Sequence, residues 1–325
     1  MTSSVSKSLS KIITFANDTL DQLPTEKEPK SLYRPIHHIV SNKGKQIRSI
    51  LALLTYDMFG RDINDLKEII LAIEGLHHFT LIHDDVMDNS HLRRGEETIN
   101  KKWSNNQAIL SGDVLLIQSY QYLLASKFSN NVILKDFTNT AVLICEGQQL
   151  DLDFQHQKHL TKDQYFNMIR LKTGMLIAFS LVAPSLLTSF GKKNVVTMRS
   201  IGELLGDLFQ IQDDYLDLYG DTLSLGKVIG GDILEMKKTF LYVTAFHNAN
   251  SIQKKELVRI YHGNYNDRIN EVISLYDNLN VAESVQDVIN KLSSRLTQLI
   301  GEIDVLESKK EAFIEYVNII LKRKH

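Results

Sequence analysis

The chain has 325 residues whose charges nearly cancel, because 37 Lys and Arg stand against 39 Asp and Glu for a formal net charge of -2. That balance argues against a nucleic-acid-binding protein, which is normally strongly basic, and the 43% content of hydrophobic residues argues against disorder. Only four prolines and 16 glycines occur. An all-β fold, which needs many turns, is therefore excluded, and long uninterrupted helices are expected.

Two features bear on the cellular setting. The single cysteine, Cys145, excludes an intrachain disulfide and a four-cysteine zinc site, so we expect a reducing, cytoplasmic location. The most apolar stretch, residues 174–190, has 17 residues and is interrupted by Pro184 and several hydroxyl side chains. A membrane-spanning helix needs about 20 apolar residues. We therefore predict a buried helix there and no membrane span.

Helical periodicity runs through most of the chain, since apolar residues recur at three- and four-residue steps. In chain order the periodic segments are residues 66–85, 114–128, 137–150, 198–218, 238–249 and 285–306. Turn-forming residues separate them at 59–62, 89–95, 129–131, 190–191, 219–231 and 262–264. No linker divides the chain. We predict an all-α fold, a single domain over residues 1–325 with about ten helices.

One acidic pattern occurs twice in otherwise unrelated surroundings. Residues 81–88 read Leu-Ile-His-Asp-Asp-Val-Met-Asp, and residues 210–217 read Gln-Ile-Gln-Asp-Asp-Tyr-Leu-Asp. Each copy places Asp-Asp-x-x-Asp at the C-terminal end of a long apolar helix. The six aspartates are Asp84, Asp85, Asp88, Asp213, Asp214 and Asp217.

The spacing of each copy crowds its carboxylates. Residues four apart share a helix face, so Asp84 lies over Asp88, while Asp85 is rotated by about 100°. The end of the helix is itself partly negative, so the arrangement is unfavourable without a cation. Mg²⁺ typically joins one or two carboxylates to substrate phosphates. A single copy is more often a solvated acidic helix end, but two copies after apolar helices predict metal binding.

Basic residues accompany both acidic motifs. The clusters are Lys43–Arg48, Arg93–Gly95, Lys172–Gly174, and the lysines Lys227, Lys237 and Lys238. Arg binds phosphate oxygens through a planar fork and Lys binds them as a point charge. Taken singly, each cluster is typical of a solvated face. Their placement beside both acidic motifs predicts a diphosphate site.

With these motifs the chain resembles the trans-isoprenyl diphosphate synthases, also called polyprenyl synthetases. The matching segments, in the order of that family, are residues 81–95, 111–115, 172–174, 209–217 and 226–227. The likeness runs from about Arg34 to Thr239, roughly two thirds of the chain. It departs from the family pattern at Lys43, where a glycine is usual, and at Val228, where a proline is usual. It implies a helical bundle of the isoprenoid synthase type around a deep central cavity.

The resemblance also implies roles for individual residues. All six aspartates would hold Mg²⁺, three ions when substrate is bound, and with them an allylic diphosphate. Contacts to that diphosphate are implied for Arg93, Lys172, Thr173, Gln210 and Lys227. Contacts to isopentenyl diphosphate are implied for Lys45, Arg48, His77 and Arg94. Lys237 matches the last lysine of the pattern, although the match could slip to Lys238, and the basic end Lys322–Lys324 is a weaker match. We expect catalysis to depend chiefly on Asp84, Asp85, Asp88, Lys172, Asp213 and Lys227.

The implied reaction is a head-to-tail condensation of isopentenyl diphosphate with dimethylallyl, geranyl or farnesyl diphosphate. Loss of pyrophosphate leaves an allylic cation, which the double bond of isopentenyl diphosphate attacks before a proton is lost. Phe79 and Thr80 lie about one helical turn, ~5.4 Å, before Asp84 and would border the growing tail. In this family one aromatic residue five positions before the motif accompanies short products. We expect C15 to C20, with C20 slightly favoured.

Other activities fit parts of the sequence. The pair His83-Asp84 is compatible with a metal phosphohydrolase, but no downstream His and Asp set stands out. A terpene cyclase or a head-to-head condensing enzyme shares the ionising motif, although a cyclase does not need the second basic site. A noncatalytic partner subunit tends to lose acidic motifs, and here both are intact. The family is commonly homodimeric, and a helix such as Val114–Leu124, apolar on more than one face, suits an interface.

Overall fold

The structure is a computed structural model that describes residues 6–23, 27–155, 157, 159–220, 230–262 and 268–322. Within these residues α-helix dominates, and strand occurs only as one short two-stranded hairpin. The prediction of an all-α fold is therefore confirmed. The described helices outnumber the ten or so expected, because several are short and two are single turns of four residues.

The first half of the described chain carries seven α-helices, the hairpin and a 3₁₀ helix, Ile63–Leu66, just before the fourth α-helix. The α-helices and strands are α1 (Lys7–Leu20), α2 (Lys30–Ser41), α3 (Ile47–Met58), α4 (Lys67–Met87), β1 (Leu92–Arg93), β2 (Glu96–Glu97), α5 (Ile99–Lys102), α6 (Asn105–Ala125) and α7 (Asn131–Gln155). The second half is helical in its described parts. Its helices are α8 (Lys162–Ile169), α9 (Met175–Leu186), α10 (Ser189–Tyr219), α11 (Gly231–Leu234), α12 (Phe240–Asn248), α13 (Ser251–His262), α14 (Arg268–Asn278), α15 (Val281–Gly301) and α16 (Glu307–Leu321).

The chain forms two compact units. The first unit comprises Met1–Ala141, Leu176–Arg199 and Ile303–Val317, and the second comprises Val142–Met175, Ser200–Glu302 and Asn318–His325. The first acidic motif and the basic cluster at 43–48 belong to the first unit. The second acidic motif and the Lys172–Gly174 segment belong to the second.

In the first unit, α4 packs closely along α6. A Cβ at Gly75 would lie 2.4 Å from the Ser119 hydroxyl, and one at Gly112 would lie 2.4 Å from the His83 imidazole. Glycine at these two positions therefore permits the close approach of the helices. Buried residues on most sides of α4 identify it as a core helix, and its packing fixes the helix end that carries the first acidic motif.

In the second unit, backbone contacts surround a π-helical turn, Arg170–Gly174. A Cβ at Gly147 would lie 2.3 Å from the amide nitrogen of Lys172, and one at Gly206 would lie 2.3 Å from the Cα of Gly174. Because these glycines have no side chain, the backbones of α7 and α10 can pack directly against the backbone of the π turn. Single π turns inside helices occur frequently at functional sites. Nothing in the hydrophobic pattern predicted this one.

A continuous helical run, Lys162–Leu186, is long and apolar enough to cross a membrane by length and composition alone. It is longer than the stretch expected from the sequence, because the helix starts before residue 174 and continues through the π turn. Since 72% of its most apolar window is buried inside the protein, the run has the burial of a core helix. This agrees with the prediction of a buried helix.

Candidate active site

The first acidic motif lies at the C-terminal end of α4, where Asp88 is the capping residue and its N–H donates to the Asp84 carbonyl at 2.8 Å. Asp84 and Asp88 are half-buried, whereas Asp85 is turned inward. The Oδ1 atom of Asp88 is buried and has no hydrogen-bond partner among the described residues. A buried carboxylate oxygen without a donor is unfavourable unless a cation approaches it. The residues here therefore fit a hard divalent cation such as Mg²⁺.

Arg93 holds the inward-facing Asp85. Its Nε lies 2.9 Å from both carboxylate oxygens, and its Nη2 lies 2.7 Å from Oδ1. Arg93 reaches this position from β1, in a hairpin whose turn residues Arg94 and Gly95 have φ of 54° and 80°, as a two-residue type I′ turn requires. Burial raises the pKa of Asp85, while the pair raises the pKa of Arg93. The multiple N–H contacts favour the ion pair over a neutral carboxyl.

The second acidic motif, near the end of α10, also has one accessible and one buried aspartate at its start. Asp213 is exposed, whereas Asp214 is only 4% exposed. The Oδ2 of Asp214 accepts hydrogen bonds from the Tyr165 hydroxyl at 2.5 Å and from the Phe240 N–H at 2.6 Å. Its Oδ1 accepts from Gln210 Nε2 at 3.0 Å. Burial raises the pKa of Asp214, and the three donors oppose that shift.

The last aspartate of this motif contacts the next helix. Asp217 is half-buried, and its Oδ2 accepts the Asp232 N–H at 3.1 Å, at the start of α11. Lys237 follows α11 and lies 2.8 Å from Glu235 and 3.7 Å from Asp232. Asp232 therefore contacts both Asp217, the final aspartate of the motif, and Lys237.

Of the two adjacent lysines, Lys238 is the buried one. Its ammonium has no hydrogen-bond partner among the described residues, and it lies 4.6 Å and 5.2 Å from the ring centroids of Tyr242 and Tyr261. Burial lowers the pKa of Lys238 to about 8. Lys237 is more accessible, which favours it over Lys238 for contact with a diphosphate.

The residues expected to bind isopentenyl diphosphate meet in the first unit. Arg48 donates from Nη1 to Nε2 of His77 at 3.2 Å. Burial and the Arg48 charge lower the pKa of His77 well below its usual value, so a neutral imidazole accepts this bond. Arg94 donates to the Asn42 carbonyl at 2.7 Å, and its guanidinium packs on Gly44, where a Cβ would lie 2.3 Å from Nη2. A larger residue between the lysines of this cluster would displace the Arg94 guanidinium.

Lys45 and two further residues complete the first-unit set. The side chain of Lys45 is exposed, and its carbonyl accepts from the Tyr316 hydroxyl at 3.3 Å. Phe79 is 8% exposed and packs against the His83 ring with centroids 4.6 Å apart. The hydroxyl of Thr80 donates to the carbonyl of His77 within its own helix, at 2.8 Å.

A linked set of polar groups surrounds the π turn in the second unit. Lys172 lies 2.6 Å from Asp151. Thr173 donates from its hydroxyl to Gln210 at 3.3 Å, and Gln210 in turn donates to Asp214. The π turn therefore places Thr173 against Gln210, which lies just before the second acidic motif.

Two predictions fall outside the described residues. Lys227 lies in the segment 221–229, and Arg323 and Lys324 of the basic C-terminal end lie beyond residue 322.

Three further residues of the second unit escaped the sequence reasoning. Tyr165 and Asp151 hold Asp214 and Lys172 as described above. Gln148 is 6% exposed, and neither atom of its side-chain amide has a hydrogen-bond partner among the described residues. The signal that could have found this region is Gly147-Gln148 within an otherwise helical pattern, because a mid-helix glycine usually has a packing or functional reason.

Within the ranges described, no three His, Cys, Asp or Glu side chains are placed to hold a metal ion by themselves. Mg²⁺ uses few protein carboxylates and completes its shell with water and phosphate oxygens.

Comparison with known proteins identifies the family. The family model of polyprenyl synthetases matches residues 29–279, which is more than half of the chain. The chain belongs to the polyprenyl synthetase family. The family predicted from the two acidic motifs is thus confirmed, and enzymes of this family generally depend on Mg²⁺.

Individual relatives cover most of the chain. A short chain isoprenyl diphosphate synthase of Methanothermobacter thermautotrophicus is 32% identical over 323 residues, with 98% of each chain covered. A geranylgeranyl pyrophosphate synthase of Geoglobus acetivorans is 36% identical over 251 residues, which cover 76% of this chain and 77% of the relative. A crystal structure of a geranylgeranyl pyrophosphate synthase superposes with a TM-score of 0.90 at 33% identity, covering 98% of this chain and 99% of the other. Such relatives are prenyltransferases by name.

Proposed function

We propose that this protein is a Mg²⁺-dependent prenyltransferase that condenses isopentenyl diphosphate with an allylic diphosphate, head to tail, and releases pyrophosphate. The product is a short all-trans prenyl diphosphate of C15 to C20, with C20 favoured. The observation that carries the proposal is the pair of Asp-Asp-x-x-Asp motifs, each with its first and last carboxylates on one helix face, in a chain of this family. We propose further that residues 1–325 act as one synthase domain, in the cytoplasm. The match to a relative over 98% of both chains supports the single domain.

The two classes of aspartate suggest a division of labour. Asp84, Asp88, Asp213 and Asp217 are the carboxylates that offer oxygen atoms to Mg²⁺. The orphaned Oδ1 of Asp88 supports this role. Asp85 and Asp214 belong to the same metal sites by sequence, but they are the two buried aspartates of the motifs, and donors from the protein hold their carboxylates, so we assign them to positioning. Mg²⁺, when bound, neutralises charge on the diphosphate oxygens and so favours departure of pyrophosphate.

The basic residues supply the remaining countercharge. Arg93, Lys172 and Lys237 lie beside the acidic motifs of their own units, where the cations stabilise a departing diphosphate. Thr173 and Gln210 orient the second motif through hydrogen bonds. We assign Lys227 to the allylic diphosphate on its sequence position alone. For isopentenyl diphosphate, we assign Lys45, Arg48, His77 and Arg94. Because His77 is neutral and accepts from Arg48, it fixes the guanidinium without cancelling its charge.

Product length is proposed to depend on α4. Phe79 is bulky, lies five residues before Asp84 and is anchored by His83. Thr80 is small, and its hydroxyl is satisfied within its helix, so it leaves more room than a second aromatic would. A relative named geranylgeranyl pyrophosphate synthase supports a C20 product.

We propose that the protein is a homodimer through α6. Leu110, Ile117 and Leu124 are 56%, 58% and 61% exposed and recur at seven-residue intervals, which places them on one side of the helix. A second copy of this chain would bury this apolar stripe. Light scattering should show a dimer for the native protein and a monomer for Ile117→Glu. Val196, an apolar residue of α10 that is 79% exposed, should leave the dimer intact when changed to Glu.

The function is tested by pyrophosphate release with substrates omitted in turn. Release should require Mg²⁺, isopentenyl diphosphate and dimethylallyl diphosphate together. Release from the allylic substrate alone, with hydrocarbon formed, would instead identify a cyclase. Release of phosphate without a new carbon–carbon bond would identify a hydrolase, and no turnover would identify a noncatalytic subunit.

A further inference from the structure

A groove beside the N-terminal half of α2 is lined by none of the residues assigned to the synthase site. Its volume is about 690 Å³, within the range of about 300–1,000 Å³ typical of small-ligand sites. The walls come from the residues just before α2, from α2 itself and from the end of α5, all within the first unit.

The groove carries an excess of positive charge. Lys27, Lys30, Arg34 and Lys102 line it against the single carboxylate of Glu28. Glu28 lies 4.0 Å from Lys30, and both side chains are largely exposed. With the described residues the other three cations form no ion pair. A concave surface with several uncompensated cations concentrates polyanions.

One wall of the groove is held in place by hydrogen bonds. His38 donates from Nε2 to the Glu97 carbonyl at 2.8 Å, which leaves its Nδ1 as an acceptor 3.3 Å from the ammonium of Lys102. The His38 ring also contacts Trp103 edge-on, with centroids 5.3 Å apart. The Lys102 ammonium lies 5.2 Å from the centroid of the Trp103 ring. A cation and an aromatic ring are thus arranged before any ligand binds.

The remaining lining distinguishes between kinds of polyanion. Tyr33 and Trp103 are half-buried rings, and no aliphatic side chain is among the described residues that line the groove. A prenyl chain would meet only these rings and no aliphatic side chain there, whereas a planar base stacks on aromatic rings. We propose that this groove binds a nucleoside di- or triphosphate, with its phosphates on the cations and its base against Tyr33.

Trp103 is the only tryptophan of the chain, so intrinsic fluorescence reports directly on the groove. The full-length protein is titrated with ADP, ATP and inorganic tripolyphosphate, without Mg²⁺ and without prenyl substrates. ADP and ATP should change the fluorescence saturably, with dissociation constants below about 1 mM. Tripolyphosphate should bind about tenfold more weakly, because it lacks a base to stack.

Two variants separate the phosphate and base contacts. Arg34→Glu should weaken all three ligands by about tenfold or more, because it replaces a cation with an anion. Tyr33→Ala should weaken ADP and ATP by about tenfold and leave tripolyphosphate unchanged, which also shows that the groove remains folded. The control is Lys193→Glu, an exposed lysine elsewhere in the first unit, which should bind as the native protein does.

Three results would overturn the proposal. They are a fluorescence change that does not saturate, equal affinities for ADP and tripolyphosphate, and an Arg34→Glu variant that binds like Lys193→Glu. None of these results bears on prenyl transfer, since the titration contains neither of its substrates.

Discussion

The two acidic motifs share one sequence pattern, but the protein holds their middle aspartates by different means. Asp85 is matched by the charge of Arg93, whereas Asp214 is held by the neutral donors Tyr165, Gln210 and the Phe240 N–H. Burial raises the pKa of both carboxyls. In one motif a nearby cation offsets that cost, and in the other hydrogen bonds do. The two motifs therefore share their accessible aspartates, whereas each buried aspartate is stabilised by a different set of neighbouring residues.

The largest expected effect comes from the accessible aspartates, where the two motifs should behave alike. Asp84→Asn and Asp213→Asn should each lower kcat about a thousandfold or more, because a carboxylate is lost from a Mg²⁺ site. The melting temperature should stay within about 3 °C of the native value in both variants. The control is the exposed Asp287→Asn. Activity within tenfold of the native enzyme in either motif variant would remove that motif from the chemistry.

The inner aspartates should differ in their contribution to stability. Asp85→Asn leaves Arg93 without its counter-charge. Since Arg93 is 33% exposed, the loss should be about 2 kcal/mol, below that of a fully buried pair. Asp214→Asn keeps an acceptor oxygen for Tyr165 and the Phe240 N–H, loses only the acceptor of Gln210, and should cost about 1 kcal/mol. Denaturant unfolding measures both.

A double variant sharpens this contrast. Asp85→Asn combined with Arg93→Gln removes both charges and should recover about half of the loss. Equal costs for Asp85→Asn and Asp214→Asn would show that charge pairing does not distinguish the two motifs.

Product length should depend on the first motif only. Phe79→Ala should lengthen the main product by at least one isoprene unit, since the ring that limits the tail is removed. The corresponding position before the second motif is Leu208, which is fully buried. Leu208→Ala should destabilise the protein by about 3 kcal/mol and leave the product unchanged. Chromatography of the product alcohols measures the chain length. An unchanged product from Phe79→Ala would show that this ring does not limit growth of the prenyl chain.

The smallest expected effect concerns Lys238, a buried cation that, among the described residues, packs against aromatic rings and not against a carboxylate. Lys238 sits against Tyr242 and Tyr261, and its pKa is lowered from 10.5 to about 8. The charged lysine therefore costs the folded state free energy at pH 7, and this cost fades as pH rises from 8 towards 10.5. Lys238→Met should be about 1 kcal/mol more stable at pH 7, after the lost ring contacts are subtracted.

The pH dependence supplies the check for this variant. Thermal unfolding from pH 7 to pH 10 should show the advantage of Lys238→Met shrinking towards zero. An advantage that grows with pH would contradict the lowered pKa.

Sequence reasoning reached the fold and the candidate residues by different routes. Helical periodicity and the scarcity of proline predicted the all-α fold, because these signals are local. The division between Asp84 and Asp85 was foreseen only as a rotation of about 100°. That Arg93 holds Asp85 depends on the turn after α4, where Asn89 has a φ of 52° and the Ser90 N–H donates to the Asp85 carbonyl, because this turn brings together residues eight apart.

Other features depend on contacts between distant segments. The hydroxyl of Tyr165 reaches Asp214 across 49 positions of sequence. The π turn at Lys172 rests on Gly147, a contact between backbones that no side-chain pattern encodes. The orphaned amide of Gln148 is visible only once burial is known.

The most direct test of the central claim is mass spectrometry of the dephosphorylated product formed by the native enzyme from Mg²⁺, isopentenyl diphosphate and dimethylallyl diphosphate. We predict a C20 prenyl alcohol as the main species, with C15 beside it, and no product when Mg²⁺ is withheld. Recovery of only the alcohol of the starting allylic substrate, with no carbon–carbon bond formed, would contradict the assignment.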